Sequence, residues 1–281
     1  MGMADVAPAA GTTELARDLG VLSSLVHFGW LNTQQLQALC FPGAALATVR
    51  TTLHAFEEAN WIQHVRWRIG PPDGGYIWAV RRKGIRILTQ YFPIVPQIVT
   101  DLARPSSALE QEEWRVQLLI RTFVTRFVVE ARRHPLLAAC TVTLPPQTWQ
   151  PDVAGPHLEP GARLAIVWDP PTRHEPSWLP WTSIAPLIGR PTQYALYCDR
   201  QVPAEQLKWL VAGWVERARV EQHIPVLLLN NAERYCLAIA ALAPLRAEQP
   251  MRLTTWPDLQ HSIVRGLWRD ERGSAIPLQP T

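Results

Sequence analysis

Six basic side chains fall between positions 66 and 86 (Arg66, Arg68, Arg81, Arg82, Lys83 and Arg86), and one acid, Asp73, stands among them. The formal net charge of the chain is only +3, so the distribution of charge says more than its sum. Arginine carries nearly all of the positive charge, because Lys83 and Lys208 are the only lysines. A guanidinium presents a planar fork of donors that fits phosphate oxygens and the edge of guanine, although a GC-rich genome gives the same bias. Just upstream, Thr48, Arg50, Thr51, Thr52 and His54 form a polar set of short side chains and one arginine, without an acid. Glu57 and Glu58 follow and would repel phosphates, so the residues ahead of them have to make any approach to a duplex. Thr48, Arg50, Thr51 and His54 as groove contacts and the six basic residues as phosphate contacts describe one chemistry, recognition of double-stranded DNA. A solvated helix face and a positively charged surface hairpin would carry the same residues.

The surrounding pattern supplies elements that could position these groups. A short helix over 32–39, capped by Asn32 or Thr33, leads through a turn at Phe41, Pro42 and Gly43 into a second helix over 45–60. Leu46, Val49, Leu53 and Phe56 recur on that helix at spacings of three and four, which turns the polar set away from the core. Two strands, 62–69 and 76–82, flank the turn 70–75. In the first, Arg66 and Arg68 alternate with Val65, Trp67 and Ile69; in the second, Tyr76, Trp78 and Val80 alternate with Ile77 and Ala79. The expectation is a half-buried hairpin with its arginines on one face. A helix over 84–91 closes the unit. An earlier helix begins behind Thr12 or Thr13, carries Leu15, Leu19, Leu22, Leu25 and Val26, and ends near Gly29. Helix, turn, helix and basic hairpin make a winged helix-turn-helix over residues 14–92, with residues 1–13 disordered. Pro93, Pro96 and Pro105 with Ser106 and Ser107 mark a linker over 93–108.

Residues 109–270 read as a second domain, with a tail over 271–281. A long helix (109–133) precedes three apolar strands, 164–168, 194–198 and 224–229, the last two joined by a helix over 204–219. A fourth strand, 252–255, runs into a helix over 257–267. Strand, helix, strand implies a parallel crossover, so the fold class is α+β with an α/β second domain. Residues 145–190 are crowded with Pro and Trp and lack a period; tryptophans packed beneath a long loop, or a binding surface, both explain them. With 47% hydrophobic and 18% charged residues the chain can bury real cores. No apolar run spans a bilayer and no signal peptide opens the chain, so the expected location is the cytoplasm and no membrane partner is expected. Cys40, Cys140, Cys198 and Cys236 are far apart among apolar neighbours and read as buried free thiols. The histidines show no metal-ligand spacing with one another or with cysteine, so no metal is expected. Phosphate-binding, nucleophile-elbow and HExxH motifs are absent.

Several short runs resemble the replication-relaxation family of bacterial plasmids and integrative elements: Leu31 to Leu36, Ala47 to Leu53, Asn60-Trp61-Ile62, and Arg82-Lys83-Gly84 ahead of Ile87-Leu88. The wing of that family ends in Leu-Thr-x-x-Gly, of which Val80 to Gly84 keeps the glycine. The resemblance extends over about nine-tenths of the chain and implies a restriction-endonuclease-like second domain, in which a strand bearing Glu-x-Asp-Arg precedes a helix and a strand-helix unit. Tyr194 to Arg200, then 203–219 and 225–229, follow that order. A nuclease of this kind needs carboxylates converging on Mg²⁺ and a lysine beside the attacking water. Here Tyr197 stands where the family has its Glu. The set that can be assembled is Asp152 or Asp169 with Asp199 and Lys208, so the expected state is a degenerate, catalytically inactive scaffold without cofactor. The function expected is duplex DNA binding in a plasmid or mobile-element process, with a homodimer or other protein partners. A Mg²⁺-dependent endonuclease, or a protein-interaction adaptor of a mobile element or defence system, are the alternatives.

Overall fold

The computed structural model describes residues 10–66, 75–92, 108–131, 139–144, 160–167, 191–243, 250–270 and 272–278. They fall into two compact units divided between Arg104 and Pro105. Each is built from helices and sheet, so the chain is a mixed α+β protein.

In the first unit, helix α1 (Ala10–Phe28) buries Leu19, Val21, Leu22 and Leu25. It begins ahead of the expected start behind Thr12 or Thr13, so residues 10–13, expected to be disordered, are helical. Adding a turn to a helix anchored further on costs far less than nucleating one. α1 ends at Gly29, whose φ of +72° is a left-handed conformation that glycine adopts without a side-chain clash. A two-residue strand, β1 (Leu31–Asn32), follows. Asn32 then caps α2 (Thr33–Cys40): its Oδ1 accepts from the Gln35 amide at 2.8 Å, while Gln35 Oε1 accepts from the Asn32 amide at 2.9 Å. This reciprocal pair satisfies two donors that the helix start leaves open. The turn after α2 closes with Ala44 N donating to Phe41 O at 3.1 Å, and Gln37 Nε2 donates to Ala44 O at 2.7 Å.

Helix α3 (Leu46–Glu58) buries Val49, Leu53 and Phe56. At its end Asn60 has φ +64°, Asn60 N donates to Glu57 O at 2.8 Å and Trp61 N to Phe56 O at 2.9 Å. These paired bonds stop the helix and turn the chain into β2 (Ile62–Arg66). Strand β3 (Tyr76–Val80) and helix α4 (Arg82–Tyr91) complete the unit. Here the structure corrects the half-buried hairpin. The sheet order is β1-β3-β2, all antiparallel, so β3 is central and Ile77, Trp78, Ala79 and Val80 are all buried. A two-residue strand leaves too weak a pattern to read, yet it covers the second edge of β3. Gly84 lies in the first turn of α4, where a Cβ would lie 2.4 Å from Trp61 O.

The second unit holds α5 (Ala108–Ala131), β4 (Ala139–Thr143), β5 (Ala162–Val167), β6 (Thr192–Cys198), α6 (Ala204–Val220), β7 (Ile224–Leu229), α7 (Ala232–Leu242), β8 (Arg252–Thr255), β9 (Trp268–Arg269) and β10 (Ala275–Ile276). Their sheet runs β10-β9-β8-β7-β6-β5-β4. β4, β5 and β6 pair antiparallel; β6, β7 and β8 pair parallel through α6 and α7. Tyr197, Leu227, Leu229 and Leu253 pack against Leu207, Leu210, Val211 and Trp214 of α6 and Leu242 of α7. The residues that alternate with them, Tyr194, Leu196, Val226 and Leu228, are equally buried, as they must be in parallel strands covered on both faces. The expected helix over 257–267 is instead a single 3-10 turn (Pro257–Leu259) followed by a loop. The carboxylate of Glu130 takes the amides of Ile263 and Val264 and the Ser262 hydroxyl at 2.7–3.0 Å, giving these groups partners outside a helix. Among the described residues no helix is long and apolar enough to cross a membrane.

Candidate nucleic-acid interface

The first turn of α3 is open. Its cap position is Ala45, which offers no side-chain acceptor, and no acid stands in the turn. Ala47, Thr48 and Thr51 are exposed, so small side chains surround the free amides of a helix start, where the dipole favours an anion. Thr51 Oγ1 donates to Ala47 O and Thr52 Oγ1 to Thr48 O, both at 3.1 Å. Those hydroxyls spend their proton on the helix and keep lone pairs to accept with. Arg50 is half-buried, its Nε is buried without a hydrogen-bond partner, and among the described residues it meets no carboxylate.

β2 carries one arginine, Arg66, and lies against the C-terminal half of α3, where Trp61 N donates to Phe56 O and His64 Nδ1 reaches Glu57. Two residues beyond His64, at about 3.3 Å per residue, Arg66 is exposed, opposite Tyr76, and without an ion pair among the described residues. The remaining basic residues divide. Arg81 donates to Asn60 Oδ1, and Lys83 Nζ donates to Ala59 O at 2.8 Å. Both therefore sit at the C-terminal end of α3, where the carbonyls attract cations. A 13-residue helix is about 20 Å long, so these two lie a helix length from Thr48. Arg82 and Arg86 are exposed on α4 and pair with no acid among the described residues. Arg68 lies outside the described residues. Of the five basic side chains described, Arg81 and Lys83 are thus engaged at the far end of α3.

His54, expected among the groove contacts, packs against the hairpin while remaining partly exposed. Its Nδ1 lies 3.4 Å from Glu57 Oε2, and its ring meets those of His64, Tyr76 and Trp78 edge-on at centroid distances of 5.5, 5.5 and 5.2 Å. His64 Nδ1 lies 2.7 Å from the same carboxylate. A search for His–His and His–Cys spacings overlooks this grouping. Its signal is a glutamate three residues after a histidine on one helix, followed by a histidine in the next strand.

In the second unit the polar groups close on each other. Asp199, at the end of β6, has a fully buried carboxylate. Arg234 grips it with Nη2 at 2.6 Å and Nε at 2.9 Å, and the Asn230 amide donates at 3.3 Å. The same guanidinium donates to the carbonyls of Arg200 at 2.6 Å and Val202 at 2.7 Å, so the ion pair is held from both sides. Glu113 meets Arg200 at 2.6 Å and Glu112 meets Arg115 at 2.7 Å. Burial pushes the Glu112 carboxyl up, but Arg115, the Gln201 amide and the Arg200 charge outweigh it and hold its pKa below the usual value. Lys208 is bonded to Glu205 at 2.7 Å, and no hydrogen bond or ion pair joins it to Asp199. Tyr197, at the position where the resemblance implied a glutamate, stacks on Trp214 with ring centroids 5.5 Å apart. Asp152 and Asp169 lie outside the described residues. Of the thiols expected to be buried, Cys198 is so, which pushes its pKa up to about 12, whereas Cys40 is half-buried and Cys236 on α7 is exposed; the side chain of Cys140 lies outside the described residues.

Comparison of the chain with protein-family models, curated proteins and solved structures gives no match.

Proposed function

We propose that the first unit is a winged helix-turn-helix that binds duplex DNA, with the N-terminal half of α3 in the major groove and the β2–β3 hairpin as its wing. One observation carries this reading: the acid-free, uncapped start of α3 exposes Ala47, Thr48 and Thr51 beside an arginine that meets no carboxylate among the described residues. Backbone amides and the Thr48 hydroxyl take a phosphate. Arg50 takes a base edge or a second phosphate, and Arg66 follows the backbone from the wing. This narrows the contact set to Thr48, Arg50, Thr51 and Arg66. Arg82 and Arg86 extend it, whereas Arg81 and Lys83 support α3 from its far end.

The second unit acts in this proposal as a nuclease-like scaffold and assembly surface for a plasmid or mobile-element process. The ion pair that engages Asp199 supports an inactive domain. Electrophoretic mobility shifts with a mixed-sequence duplex at several salt concentrations test the binding. The expected result is a linear fall of log affinity with log salt, at a slope of about −0.9 for each phosphate contacted. Absence of binding at low salt would sink the reading in favour of a protein-interaction adaptor.

A further inference from the structure

Glu57 stands apart from the carboxylates of the second unit in having histidines, and no arginine or lysine, for partners among the described residues. His54 and Glu57 lie one turn apart on α3, and His64 faces them from β2. The three ligand atoms all lie within 4.8 Å of one another. We propose that His54, Glu57 and His64 bind a divalent late first-row transition metal, zinc being the best fit, and that the ion fastens β2 to the C-terminal half of α3.

The geometry suits a tetrahedral ion. With metal–ligand bonds of about 2.0–2.2 Å, neighbouring ligand atoms stand about 3.3–3.6 Å apart. His54 Nδ1 and Glu57 Oε2 are already at 3.4 Å, and His64 Nδ1 at 2.7 Å from the carboxylate has to withdraw by less than ~1 Å. The side chains have room to do so, since His54, Glu57 and His64 are 40%, 25% and 28% exposed. The same exposure lets the ion in and leaves its fourth position to water. Two imidazoles and one carboxylate favour zinc and its neighbours over Mg²⁺ or Ca²⁺, which take six or more oxygens.

A supporting layer orients the ligands before any ion arrives. The His64 amide donates to Glu57 Oε1 at 3.2 Å. Tyr76 and Trp78 pack against the His64 ring with centroids 4.8 and 5.2 Å away, and Trp78 is itself fixed by Nε1 donating to Thr33 Oγ1 at 3.0 Å. On binding, any proton held between imidazole and carboxylate leaves to solvent and both rings coordinate as neutral ligands.

The test uses the full chain, stripped with a chelator and dialysed against micromolar Zn²⁺ or Co²⁺, and is independent of whether the protein binds DNA. About one ion per chain should be retained, Co²⁺ giving the visible d–d absorption of a four-coordinate nitrogen–oxygen site without thiolate charge-transfer bands. His54→Gln, Glu57→Gln and His64→Gln should each weaken Zn²⁺ binding by at least about 10- to 100-fold, the loss that outer-layer changes alone cause. Zn²⁺ should raise the melting temperature of the native chain and leave that of His64→Gln unmoved. Circular dichroism of each metal-free variant reports folding, and the Co²⁺ spectrum of the native chain stands without them. No retained ion, thiolate bands, or affinity unchanged in all three variants would overturn the site.

Discussion

The two units differ in how several of their arginines are partnered. In the first, Arg50, Arg66, Arg82 and Arg86 meet no acid among the described residues, and the start of α3 has no cap. In the second, Arg115, Arg163, Arg200, Arg217, Arg219, Arg234 and Arg269 each meet a carboxylate. The difference teaches where a ligand has something to gain. An anion arriving at α3 finds donors still lacking acceptors, whereas an anion or metal at the end of β6 would first have to break pairs made in a dry interior. Composition cannot show this contrast, because both units are rich in arginine.

The largest expected effect breaks the closed side of the comparison. Arg234→Ala leaves the Asp199 charge buried and unpaired, which should cost about 3–5 kcal/mol and show as a large drop in thermal stability; a loss below ~1 kcal/mol would mean that the network is not closed. Next is Gly84→Ala. Its Cβ meets the backbone oxygen of Trp61 at 2.4 Å, so α4 has to shift at a cost of about 1–3 kcal/mol, measured by denaturant unfolding. On the open side, Arg66→Ala should weaken binding alike across duplex sequences and reduce the salt slope by about 1, and Arg50→Ala should cost about 1–3 kcal/mol of affinity. Arg81→Ala, which removes a bond to Asn60, should lower stability and leave the slope unchanged. Equal slope changes for Arg66 and Arg81 would erase the division between contact and support.

The smallest effect concerns acid. Burial pushes the Asp258 carboxyl up, but its bonds to Arg269 and Thr255 prevail, and its pKa lies below the usual value of 3.8. A depressed carboxylate stabilises the fold above its unfolded pKa, and that share is lost as the pH falls through the folded value. Asp258→Asn should therefore be less stable than the native chain at pH 7, by about 1 kcal/mol or less in denaturant unfolding, and the difference should shrink below pH 4.

What the sequence made legible was local. Asn32 before a Gln three residues on, Gly29 after an apolar stripe, and Leu, Val and Phe at helical spacing are decided within a turn or two of chain, and these helices stand close to where they are expected. The crossover from β6 through α6 to β7 follows from the same logic. Less legible were features set by distant partners. β1 is too short to carry alternation, and its pairing with β3 turns an expected half-buried strand into a central one. The 257–267 segment has helical spacing, yet Glu130, far away in the chain, takes its amides. Arg81 and Lys83 belong to the basic run by position, and to the end of α3 by hydrogen bonding. His54 is polar and on the right helix, but Glu57 and three rings from the hairpin claim it.

The bare start of α3 has a consequence on the timescale of proton exchange. The amides of Ala47 and Thr48 belong to the helix turn that has no internal acceptors, and both residues are exposed. They should trade hydrogen for deuterium almost as fast as in an unfolded peptide, while the amide of Trp78, in the centre of its sheet, should exchange only as the unit opens. A bound duplex would slow the first pair and leave the last untouched, so the docking end of α3 can be located by isotope uptake alone.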